Sequence, residues 1–130
     1  MVLLMKINKK LNLMNKNNKI EMVICSAIWY KELPLMKNDI PKSHIYPINV
    51  DRGLVFCGYR HPHCMYSMIA ITGKRSVTNA PDGVGEYKQG FLTNFNRFVD
   101  RTEGANIALT SGQIEKLNYS STELYSEDLY

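Results

Sequence analysis

At 130 residues the chain fits one domain with a single core, and its apolar fraction of 45% and charged fraction of 22% exclude wholesale disorder, a collagen-like repeat and a coiled coil. The net charge of +4 belongs to the start: Lys6, Lys9, Lys10, Lys16 and Lys19 precede the first acid, Glu21, and residues 20–130 hold eleven basic against twelve acidic residues, a formal charge of −1. That balance argues against a nucleic-acid partner, which calls for basic residues spread over the folded surface to displace phosphate counterions.

Residues 1–19 are rich in Lys and Asn and lack periodicity, so they read as a flexible tail ahead of a single ligand-binding domain over 20–130, with Met14 and Met22 as alternative starts. No basic segment precedes the few apolar residues of 1–5, and the longest apolar run, 22–30, is too short for a bilayer. The expectation is a chain with no signal peptide and no membrane partner, located in the cytoplasm. Cys25, Cys57 and Cys64 are odd in number and unlike a secreted disulfide framework, which fits reduced thiols in that compartment.

The run MVICSAIWY, dense in β-branched and aromatic residues, predicts a central strand over 22–30. Pro34, Pro41 and Pro47 then predict a long irregular excursion over 31–51. After the turn Asp51-Arg52-Gly53, residues 54–59 read as a second strand, paired with the first in a hairpin. Pro62 suits a first helical turn, Met65, Met68, Ile69 and Thr72 share one face, and Gly73 closes that helix. Asn79-Ala80-Pro81-Asp82-Gly83 belongs to a turn-rich segment. Residues 90–93 and 97–99 predict two short strands about Asn94-Phe95-Asn96. Asp100 with Glu103 three residues on predicts a capping box opening a helix that runs to about Ser111, with Ala105, Ala108 and Leu109 inward and Gly112 at its end. The fold class is α+β: a small antiparallel sheet with two short helices.

Candidate chemistry is sparse. Cys57, His61, His63 and Cys64 hold zinc-type donors, but a strand should point Cys57 at the core and adjacent helical residues face different ways, so no metal site is expected. No Walker-type loop is present and no GxGxxG follows a strand, and no nucleophile–base pair stands out. What remains suits a nucleotide. Phe91, Phe95 and Phe98 surround a hairpin where an adenine needs a flat apolar face. Arg60 and His61 precede the Pro62 helix, Arg97, Asp100 and Arg101 flank the second helix start, and Asn96 adds an amide in the turn. The competing reading makes Phe91 and Phe98 core and Asp100 with Glu103 only a cap.

Gly58-Tyr59-Arg60-His61-Pro62-His63, Gln89-Gly90-Phe91-Leu92-Thr93, Arg97-Phe98-Val99-Asp100-Arg101-Thr102-Glu103 and Ser111-Gly112-Gln113-Ile114 together resemble the small phage Thoeris anti-defence sponge proteins. The resemblance runs in short blocks over 22–113. It implies a protein of the host bacterial cytoplasm that is not an enzyme, needs no cofactor, and binds cyclic ADP-ribose isomers such as glycocyclic ADP-ribose without degrading them, denying the signal to its effector. It also implies self-association as a homodimer or hexamer, the hexameric members binding cyclic trinucleotides at separate sites. Carried over by motif, Phe91 stacks on the adenine, Arg97, Asp100 and Arg101 meet phosphate and ribose near a subunit boundary, and Arg60 contributes from the first half. The 1–19 tail, the 31–51 excursion and Gly104, where helix propensity favours alanine, depart from the family pattern. The alternative is a small nucleotide-processing hydrolase using His61 or His63 as acid or base.

Overall fold

Strand β1, Val23–Tyr30, owes its near-continuous apolarity to its place inside the sheet. The computed structural model describes residues 19–130, so the expected tail lies, except for Lys19, outside the described residues. On one side β1 pairs antiparallel with β2, Leu54–Gly58, bringing Ala27 opposite Cys57; on the other it pairs antiparallel with β3, Tyr87–Thr93, bringing Ala27 opposite Gly90. A three-residue strand β4, Phe98–Asp100, completes the order β2-β1-β3-β4. Helix α1 spans His61–Thr72, α2 spans Arg101–Ser111, and a single turn α3 covers Ser126–Leu129. The α+β class with an antiparallel sheet and two helices is thus as expected.

Strand alternation divides the core between the two faces. Ile28 and Tyr30 pack with Cys64 and Met68 of α1, while Phe91 and Val99 pack with Ala105, Ile107 and Ala108 of α2 and with Leu124. Both helices therefore cover one face. The other face, carrying Ala27 and Phe98, lies under Tyr46 and Val50 of the 31–51 excursion, which includes a 3-10 turn at Lys42–His44. Asn49 fixes that excursion by pairing both ways with the Phe98 backbone: its Nδ2 donates to the carbonyl at 2.6 Å and its Oδ1 accepts from the N–H at 2.8 Å. Gln113 does the same for Val23, at 2.7 and 2.8 Å. Each side chain stands in for a missing strand neighbour and satisfies backbone groups that burial would otherwise orphan.

Two local expectations need correction. Asp100 caps α2, its Oδ1 accepting from the Glu103 N–H at 2.8 Å, but the Glu103 carboxylate accepts from Arg97 at 2.7 Å rather than returning to the cap. Cys57, expected to face the core, is exposed: Leu54 and Phe56 pack towards α1, so alternation turns Cys57 to the opposite face at a place the excursion leaves open. The helix ends agree with the sequence, with Gly73 at φ 70° and Gly112 at φ 82° in the left-handed conformation that ends a helix. Gly104 sits where α2 crosses the sheet. A Cβ there would lie 3.0 Å from the Phe91 ring, so a side chain at 104 would press on an enclosed neighbour.

Candidate functional site

Where α1, β3 and the C-terminal segment meet, a cleft of about 290 Å³ opens beside Arg101. The Asp100 cap makes Arg101 the first residue of α2, and its guanidinium lies across the end of the sheet. Nη2 donates to Gln89 Oε1 at 2.6 Å, Nη1 donates to the Leu124 carbonyl at 2.9 Å, and the Tyr125 ring centre lies 4.5 Å from Cζ. Among the described residues no carboxylate lies within ion-pair distance of it. Burial lowers its pKa, yet a guanidinium remains charged at any physiological pH. The cleft thus holds a fixed cation whose hydrogen-bond partners are neutral acceptors, with the Glu123 and Glu127 carboxylates acting on it only from beyond ion-pair distance.

The rest of the lining is chemically mixed. Ile28, Tyr87 and Gln89 come from the sheet, His61 and Met65 from α1, and Tyr125, Ser126 and Glu127 from the C-terminal turn. His61 is buried, its Nε2 lying 2.8 Å from the Gly90 carbonyl, which can only accept; Nε2 therefore carries the hydrogen. Burial lowers the His61 pKa, the Gly90 carbonyl opposing it and Arg101 adding to it. A fixed cation, an amide, two aromatic rings and a hydroxyl are what an anionic, ring-bearing ligand needs.

The expected site residues divide. Arg101 lines the cleft and Arg60 does not: its guanidinium lies 4.6 and 5.0 Å from the centres of the Tyr59 and Tyr130 rings, which stack on each other, and its Nη2 donates to the Tyr130 main-chain oxygen. Phe91 belongs elsewhere: it is 0% exposed, enclosed with Val99 and Leu124 and meeting the His61 ring edge-on at 5.2 Å. It has no free face for an adenine. Arg97 is occupied by the Glu21 carboxylate, from Nε at 2.8 Å and Nη2 at 2.9 Å, and by Glu103. Those carboxylates, Glu21 first, raise its pKa. Asp100 is the cap and has Lys88 at 3.7 Å. Asn96, at φ 56°, closes the β3–β4 turn and accepts from the Ile48 N–H through its main-chain oxygen.

Gln89, Tyr87 and Tyr125 are among the lining residues that site reasoning passed over, as are Ser126 and Glu127. The signal for the first two was present, because Tyr87, Gln89 and Phe91 alternate along one strand and so share a face. His63 is exposed on the outside of α1, against the Tyr59 ring, and Cys57 is on the sheet face opposite Cys64, so the four zinc-type donors do not converge. Among the described residues no helix is long and apolar enough to cross a membrane.

Fold and cleft together define a small α+β protein built on one antiparallel sheet, with an arginine-centred cavity at the end of its helical face. Residues 22–130 match the family described as Phage T4 y16D protein, and the chain belongs to that family of phage proteins. No curated protein and no solved structure matches it.

Proposed function

We propose that this phage protein binds signal nucleotides of the cyclic ADP-ribose class, glycocyclic ADP-ribose among them, and holds them unaltered in the host cytoplasm, so that Thoeris defence is not triggered. The observation that carries this reading is the Arg101 guanidinium, half-buried, held in place by Gln89, the Leu124 carbonyl and Tyr125, and without a carboxylate partner among the described residues. A cation prepared in this way forms charge-assisted bonds with phosphate oxygens at little ordering cost. Tyr87 and Tyr125 offer the ring faces that the enclosed Phe91 does not.

The volume of about 290 Å³ lies at the lower edge of the range for small-molecule pockets, roughly 300–1,000 Å³. It matches one nucleoside half of such a ligand and leaves the other half for a second copy of the chain. Helix α1 favours that copy: its twelve residues include no Lys, Arg, Asp or Glu, and Tyr66 and Ile71 stand exposed on its outer side. Pro62 belongs both to that outer surface and to the cleft, so a chain docked there adjoins the ligand.

Calorimetry with a cyclic ADP-ribose isomer, followed by chromatography of the heat-released ligand, tests the reading. Binding with full recovery of intact ligand is expected. Absence of binding, or turnover, overturns it.

A further inference from the structure

The sheet face opposite the helices carries two thiols that the nucleotide reading does not use. Strands β1 and β2 are neighbours, and the register sets Ala27 opposite Cys57. Cys25 lies two residues before Ala27 on β1, on the same face, which makes Cys25 and Cys57 a diagonal cross-strand pair. On the face they share, Cys25 and Cys57 lie near enough for each to shift the other's titration. Cys57 is exposed and Cys25 is partly covered, while Cys64, the third cysteine, is buried against the Ser26 and Arg60 carbonyls. A second cavity, of about 150 Å³, opens directly beside Cys57, lined by His44, Tyr46, Pro47 and Asn96 among others.

We propose that Cys57 and Cys25 form a redox-active dithiol, with Cys57 the attacking and Cys25 the resolving group, whose co-substrate is a low-molecular-weight disulfide. The Cys57 thiolate attacks one sulfur of the disulfide; that S–S bond breaks, one thiolate leaves, and a mixed disulfide forms on Cys57. Cys25 then gives its proton to solvent and its sulfur attacks the Cys57 sulfur, expelling the second thiolate. Two protein thiols are oxidised by two electrons in all, and one small disulfide is reduced to two thiols.

Three features support this order of events. The cavity beside Cys57 admits the first adduct, whereas Cys64 has no opening. The neighbouring Cys25 thiol lowers the Cys57 pKa, which favours its thiolate, while burial pushes Cys64 up to about 12. Closing the diagonal to bonding distance needs movement of the backbone, and β2, an edge strand, is paired to the sheet on one side only.

The test exposes the reduced full-length chain to oxidised glutathione at neutral pH, then reads intact mass and non-reducing peptide maps. The wild-type protein should lose two hydrogens, join the Cys25 and Cys57 peptides, and leave Cys64 a free thiol. Cys25→Ser should stop with one glutathionyl group on Cys57, and Cys57→Ser should slow reaction at Cys25 by about tenfold or more. Wild-type protein that stops at the mixed disulfide, or in which Cys64 reacts as fast as Cys57, overturns the proposal. That reading needs no variant, so a substitution that disturbs folding leaves it intact.

Discussion

Arg97 and Arg101 sit four residues apart on either side of β4, and their surroundings differ in kind. At the turn end, Arg97 meets Glu21, whose side chain is 4% exposed, and Glu103, so its charge is spent tying residues ahead of β1 to the β3–β4 turn. At the cleft end, Arg101 is held by an amide, a carbonyl and a ring, none of which cancels its charge. The lesson is that an arginine's role is read from what satisfies it: a carboxylate consumes the cation, whereas neutral acceptors aim it and leave it available.

Both ends rest on the core between them, and Phe91→Ala should have the largest effect. Removing a fully enclosed ring beneath Gly104 and Leu124 should cost about 3–5 kcal/mol, lowering the melting temperature by roughly 10 °C or more. A well-folded variant with an unchanged melt would make Phe91 a surface residue after all. Arg97→Ala comes next. It leaves the Glu21 carboxylate buried with only the Thr93 hydroxyl, and because Arg97 itself is 30% exposed the loss should be about 2–3 kcal/mol, seen in denaturant unfolding with ligand affinity unchanged. Arg101→Ala should reverse the pattern, shifting the melt little while nucleotide affinity falls about ten- to a hundredfold, measured by calorimetry. Equal loss of affinity in both variants would erase the distinction between the two arginines.

The smallest expected effect comes from pH. The folded-state pKa of His61 lies below its ordinary value, chiefly through burial, so as pH falls through about 6.5 the unfolded chain takes up a proton that the folded one refuses. Stability should fall on acidification, by at most about 1.4 kcal/mol per pH unit, until the folded-state pKa is reached. His61→Gln should flatten that segment of a stability-against-pH curve, and an unchanged slope would assign it to other groups.

The fold was legible where local signals agreed. Apolar runs announced β1 and β2, Pro62 and Gly73 bracketed α1, and Asp100 with Gly112 bracketed α2. Strand β3 begins at Tyr87, three residues before the expected start, because Tyr87, Lys88 and Gln89 take their place from pairing with β1, a partner distant in sequence. The burial of Tyr46 and Val50 was hidden for a similar reason, since prolines forbid periodicity and the bonds that fix that segment, the Asn49 fork to Phe98 and the Ile48 N–H to the Asn96 carbonyl, join residues distant in sequence. At the site, types of residue were legible and orientation was not. Arg97 and Arg101 look alike in a sequence, and Glu21, which separates them, lies 76 residues from Arg97.

The central position of β1 also bears on how the protein is made. Its first residue, Val23, pairs with Thr93, and its last, Tyr30, with Tyr87. A ribosome adding about 5–20 residues per second needs roughly 3–14 s to supply that partner. For those seconds Ile28, Trp29 and Tyr30 leave the exit tunnel with at most β2 beside them, and the segment that becomes the middle of the sheet is at first a bare strand. The fold closes only near the end of synthesis, so its yield depends on how well that nascent strand is shielded, and a chain cut short before Tyr87 holds only the β1–β2 pair.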